Sequence, residues 1–158
     1  MPAGASPLHL GKLWKHAQGR WNRRGDYACL YTALTRPGAL AGLARARARY
    51  RTALGPRELV SIDVTLSPVL DLTDRAALRR AAGGGAGVSS DAALLVADGD
   101  GPLEHCRHLA DWARAEGFTA LLVPSAAAIG ATNLVIYFDV VAPKQLEIDD
   151  GPDREPAP

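Results

Sequence analysis

With 158 residues, 47% of them hydrophobic and 22% charged, the chain has the size and composition of one globular domain. Its formal net charge of +1 gives no general case for nucleic-acid or membrane-surface binding. Two cysteines, Cys29 and Cys106, lie far apart without metal or redox spacing, which argues against a disulfide framework and makes the cytoplasm the expected compartment.

Residues 1–7 are small and Pro/Gly-containing, and are expected to be mobile, with no signal peptide and no run long enough to span a bilayer. Tyr27 to Leu34 is rich in aromatic and apolar residues and reads as a strand, with Cys29 a buried small hydrophobe. Thr35 and Pro37 then open a helix over about Gly38 to Thr52, and Gly55-Pro56 breaks it. Arg45, Arg47, Arg49 and Arg51 alternate along that helix, spread around it, and read as a solvated face.

Glu58 to Leu66 alternates as a half-buried strand, and Val69 to Leu72 is a short extended piece. Thr73-Asp74 caps a helix over Arg75 to Ala82, after which residues 83–87 read as a flexible linker. Asp91 to Ala97 is apolar and of undecided type. Pro102 to Glu116 carries apolar residues at helical spacing, and Gly117 ends it. Phe118 to Val123 and Asn133 to Val140 read as strands, and the acidic, Pro-rich tail from 145 is expected to be disordered. The order lacks the regular alternation of a doubly wound sheet. The expected class is α+β: a compact mixed or antiparallel sheet with flanking helices over residues 8–144.

The most informative stretch is Gly19-Arg20-Trp21-Asn22-Arg23-Arg24-Gly25 before the Tyr31 strand. Arginine supplies a rigid fork of donors for phosphate oxygens, and aromatic residues supply faces and hydroxyls for orientation. Ser125, after Pro124, closes a buried strand, where a hydroxyl either binds a ligand or bonds its own turn. Trp21 is read first as a packing residue. His105 and His108 are three apart on a helix with no third ligand evident, so a surface pair is expected and no metal site is assigned.

Three pieces line up in order. They are GRWN-x-x-G with Tyr31 eleven residues beyond Arg20, the segment VSIDVTLSPVLDLTD, and Leu122-Val123-Pro124-Ser125 followed by Asn133-Leu134-Val135. Together they resemble the RES domain family, the toxin half of RES–Xre toxin–antitoxin pairs, over about Leu8 to Pro143. The resemblance implies a compact relative of ADP-ribosyltransferase toxins with a small mixed sheet around an NAD cleft. It also implies cleavage of the nicotinamide–ribose bond by phosphorolysis or hydrolysis, or transfer of ADP-ribose to a protein, with NAD as substrate and no prosthetic group. An Xre-type antitoxin that blocks the cleft is the implied partner, with a homodimer or a toxin–antitoxin hetero-oligomer as assembly.

Carried over residue by residue, the resemblance implies Arg20, Tyr31 and Ser125 as catalytic residues. It adds Lys15, Trp21, Asn22 and Asn133 to Arg20, Tyr31 and Ser125 as NAD contacts. Two departures stand out. Gly42 occupies the position of the family glutamate, and Lys15 is the nearest candidate for the family's first arginine, without its bidentate fork. An inactive RES-fold protein that binds NAD or an antitoxin is therefore the alternative expectation.

Overall fold

The computed structural model describes residues 18–50, 57–141, 146–147 and 154–157. In chain order, strand β1 (Cys29–Ala33) leads into helix α1 (Arg36–Tyr50), followed by β2 (Arg57–Val60), β3 (Asp63–Val64) and β4 (Val69–Asp71). Helix α2 (Arg75–Ala81), a π-turn (Ala82–Ala86) and a 3-10 turn (Ala92–Leu95) precede helix α3 (Asp100–Ala115). Strands β5 (Ala120–Pro124), β6 (Thr132–Tyr137), β7 (Leu146–Glu147) and β8 (Arg154–Ala157) complete the order.

Local chemistry sets the boundaries. The Thr35 hydroxyl accepts from the Gly38 N–H at the start of α1, and Asp74 accepts from the Ala77 N–H to cap α2. The expected strand over 58–66 divides into β2 and β3, which pair with different partners, β8 and β7. The central sheet has the order β1-β6-β5-β4, antiparallel except for the parallel β4–β5 pair. This is the mixed sheet with flanking helices that the sequence predicts.

Partners across a ladder point to the same side, so the register sorts the core. Cys29, Leu70, Leu121, Val123, Val135 and Tyr137 share one face and pack under Leu78, Leu95, Leu109 and Trp21. Leu30, Ala120, Leu134 and Ile136 form a smaller cluster on the other face, against Ile62, Val64 and Leu66. Arg114 stacks 3.6 Å over the Tyr27 ring, and Tyr27 meets Tyr137 edge-on at 5.7 Å.

Three further features differ from the sequence reading. The glycine stretch after α2 is a packed turn rather than a loose linker: a Cβ at Gly85 would lie 1.8 Å from Trp112 Nε1. His105 is 8% exposed and not part of a surface pair, because its side of α3 faces the core. The tail from 145, expected to be disordered, contributes β7 and β8 in its described parts, and Glu155 makes a two-point ion pair with Arg36 at 2.5 and 3.2 Å. The expected mobile N-terminus lies outside the described residues.

Leu109 is fully buried on α3. Leu109→Ala is expected to cost about 3 kcal/mol and lower Tm by roughly 10 °C. Thermal unfolding followed by circular dichroism checks this, and an unchanged Tm would contradict the packing of α3. His105 gives a second test. Burial holds its imidazole pKa below the ordinary 6.5, the neighbouring His108 adds to this, and Asp91 opposes it. Just below pH 6.5 the unfolded chain takes up a proton that the folded chain refuses, so stability falls as pH falls through that window. His105→Leu is expected to flatten that part of the stability–pH curve.

Candidate functional site

The GRWN segment is a tightly tied loop on the face of the sheet that carries the main core. Its hub is the Tyr31 hydroxyl, which accepts from the Trp21 N–H at 2.8 Å and donates to Asn22 Oδ1 at 2.9 Å. The loop closes on itself through the Gly19 N–H and the Asn22 carbonyl at 3.2 Å. A Cβ at residue 19 would lie 2.2 Å from Tyr31 Oη and 2.6 Å from Asn22 Oδ1, so only glycine lets the backbone approach this closely.

Burial pushes the Tyr31 phenol pKa well above its ordinary value, so at neutral pH it is an uncharged hydrogen-bonding post. Trp21 is 2% exposed and Asn22 is fully buried. Their side chains therefore shape the loop from within, and Trp21 packs as first read. Cys29, two residues before Tyr31, has its thiol pushed up to about 12 by burial and stays neutral.

Helix α3 fixes the loop from below. Arg107, 7% exposed, donates Nε and Nη2 to the Gly19 carbonyl at 3.2 and 3.1 Å, and donates Nη1 to Glu104 at 2.5 Å. Glu104 also accepts from Arg23 at 2.5 Å, and Asp111 accepts from Arg23 at 3.4 Å and from the Tyr27 hydroxyl at 3.0 Å. The two arginines hold the Glu104 carboxyl below the usual carboxylate range. Residues on α3 thus hold the Gly19 carbonyl before Arg20 and the Arg23 side chain after it.

Arg20 itself points to the segment before α3. Its Nη1 donates to the Ala97 carbonyl at 2.7 Å, and its Nη2 lies 3.4 Å from both the Val96 carbonyl and Asp98 Oδ1. Asp98 also accepts from Arg45 of α1 at 2.5 Å. Sequence reasoning missed Arg107, Glu104 and Asp98. A signal for Arg107 was present, since it falls among apolar Leu103, Cys106 and Ala110 on the inner side of the predicted helix.

Ser125 and Asn133 occupy the far end of the same sheet face. Tyr31 pairs with Val135, which pairs with Leu121; Ala33, Asn133 and Val123 form the next row on that face. Ser125 lies two residues beyond Val123, and so four residues, about 13 Å of extended chain, beyond the Tyr31 row. Tyr31 and Ser125 therefore bracket a stretch of sheet and do not touch. The Ser125 hydroxyl accepts from the Ala127 N–H at 3.2 Å, a turn bond that leaves its proton available for donation.

Beside Ser125, an open groove runs between the start of α1 and the β5–β6 loop, lined by Leu34, Pro37, Gly38, Ile129, Ala131 and Thr132. Arg20, Tyr31 and Ser125 do not line it. Gly42 lies one turn along α1 with open space where a side chain would project. Lys15 lies outside the described residues. The structure thus joins Arg20, Trp21, Asn22 and Tyr31 in one unit and sets Ser125 and Asn133 further along the same face. That layout suits an elongated ligand better than a compact triad.

Among the described residues no helix is long and apolar enough to cross a membrane. No curated protein matches the chain. The crystal structure of the M. tuberculosis MbcT–MbcA toxin–antitoxin complex contains a similar chain, with a TM-score of 0.70 and 25% sequence identity, covering 94% of this chain and 77% of that one. The family model of the RES domain matches residues 9–157. This match spans both halves of the sheet face described above, and the chain belongs to the RES domain family.

Proposed function

We propose that this protein is the toxin of a toxin–antitoxin pair and acts on NAD, cleaving the bond between nicotinamide and ribose. The observation that carries this reading is the family match over residues 9–157, joined by the likeness to the MbcT toxin. Its partner on this reading is an antitoxin protein. The chemistry places simple demands on the protein. As the ribose C1′–nitrogen bond breaks, its electron pair leaves with neutral nicotinamide, so no strong acid is needed. An oxygen of water, phosphate or a protein side chain then bonds C1′ and gives up its proton. The barrier lies in the positive charge that develops on the ribose, which preorganised negative groups and dipoles stabilise. Arg20 supplies guanidinium donors for the pyrophosphate, and the Ser125 hydroxyl supplies a donor for a ribose or phosphate oxygen.

Gly42 favours a second reading, binding with little or no cleavage. A glutamate there would project into open space on the side of α1 that also carries Arg45. Nicotinamide release from NAD, with and without phosphate, separates the two readings and distinguishes phosphorolysis from hydrolysis. We expect slow release by the natural protein and a gain of about 10²-fold in Gly42→Glu, the size of a preorganised charge contribution. Replacing a helical glycine should also raise stability by roughly 1 kcal/mol. Release by the variant alone would establish the binding reading. If neither protein releases nicotinamide or binds NAD, the assignment to NAD is wrong.

A further inference from the structure

On α1, residues 38, 42, 45 and 49 fall on one narrow stripe, because steps of four, three and four return to the same side of a helix. Gly38 fixes where that stripe looks: a Cβ there would lie 3.4 Å from Ala33 and 3.7 Å from Ala131, at the end of the sheet. Two turns further on, Arg45 reaches Asp98. The stripe therefore runs from the groove beside Ser125 to the guanidinium of Arg20. The alternating arginines of this helix, read from sequence as a solvated face, are not equivalent: Arg45 and Arg49 share the stripe that looks toward Asp98, and Arg45 is the one that bonds it.

A single oxygen, Asp98 Oδ1, meets both guanidiniums, at 2.5 Å from Arg45 and 3.4 Å from Arg20. Its side chain is 67% exposed, against 37% for Arg45 and 11% for Arg20. Arg20 keeps its orientation without Asp98, because the carbonyls of Ala97 and Val96 also hold it. An exposed carboxylate oxygen shared by two arginines occupies the place of a ligand oxygen. Phosphate offers more oxygens and more charge to the same donors than one carboxylate does.

We infer that Arg45 and Arg20 form a two-guanidinium clamp for a phosphate or pyrophosphate group, and that Asp98 fills the clamp until such a group displaces it. This deepens the reading of the protein as an NAD-consuming enzyme by naming a second phosphate contact and an internal competitor. The clamp can be tested without any cleavage. ADP and inorganic phosphate, as separate probes, are titrated into the natural protein, Asp98→Asn, Asp98→Asn/Arg45→Ala and Asp100→Asn, with binding read by calorimetry and folding by thermal melts.

Asp98→Asn is expected to bind ADP about tenfold tighter than the natural protein, and the added Arg45→Ala to abolish the gain, as suits charge-assisted contacts at a half-exposed site. A gain seen with inorganic phosphate but not ADP would assign the clamp to a free phosphate. Asp100→Asn removes the same charge nearby and should give a much smaller gain. The clamp is overturned if Asp98→Asn binds neither probe more tightly, if Asp100→Asn does as well, or if Arg45→Ala leaves the gain intact. Nicotinamide release is measured separately, so failure of the NAD assignment would show as a working clamp without cleavage.

Discussion

The Tyr31 hydroxyl is the point on which the site depends. One oxygen accepts a backbone N–H from Trp21 and donates to the Asn22 side chain, fastening the GRWN loop to the first strand of the sheet. Asn22 is fully buried, and a buried amide without partners would cost on the order of 1–3 kcal/mol. The hydroxyl removes that cost and fixes the loop's path in the same contact. Arg107 closes the other side by gripping the Gly19 carbonyl with two donors. Arg20, between these fastenings, is therefore presented by backbone that has little freedom.

This arrangement turns most of the motif inward. Trp21, Asn22 and Tyr31 are spent inward, on packing and on holding the loop. Arg20, with its side chain 11% exposed, is bonded to the Ala97 and Val96 carbonyls, and Ser125 is buried as well, while α1 leaves open space at Gly42. A motif that reads as four neighbouring ligand contacts becomes one cation on a rigid base. A mixture of charges surrounds that cation: Asp98 faces Arg20 and Arg45, while Glu104 and Asp111 face Arg23 and Arg107. Pairing of this kind holds the arginines in place and keeps their mutual repulsion low in the absence of an anion.

The sheet and the helices were legible because period-two and helical spacing are local signals; β1, β5, β6 and α3 appear close to where apolar residues put them. Capping by Thr35 and Asp74 was legible for the same reason. The turn after α2 was misread because the demand for glycine at Gly85 comes from Trp112, which is remote in sequence. Strands β7 and β8 were missed because acidic and proline residues mark disorder only when no partner strand is near, and β3 and β2 provide one. GRWN, Tyr31, Ser125 and Asn133 could be picked out by motif. Which of them faces inward could not, since that is decided by contacts between distant elements, such as Arg107 with the Gly19 carbonyl and Arg20 with the Ala97 carbonyl.

The register of the central sheet also sets an order of assembly. Strands β5 and β6 form an antiparallel pair joined by a short loop, whereas β1 must find β6 across most of the chain, and α2 and α3 lie between β4 and β5. Pairing of distant segments carries the larger loop-closure cost and comes late. The Ser125–Asn133 end is built from segments close in sequence, while the Arg20–Tyr31 end requires long-range closure. The half of the sheet face that bears Arg20 thus rests on the costlier closure, and the half that bears Ser125 on the cheaper one.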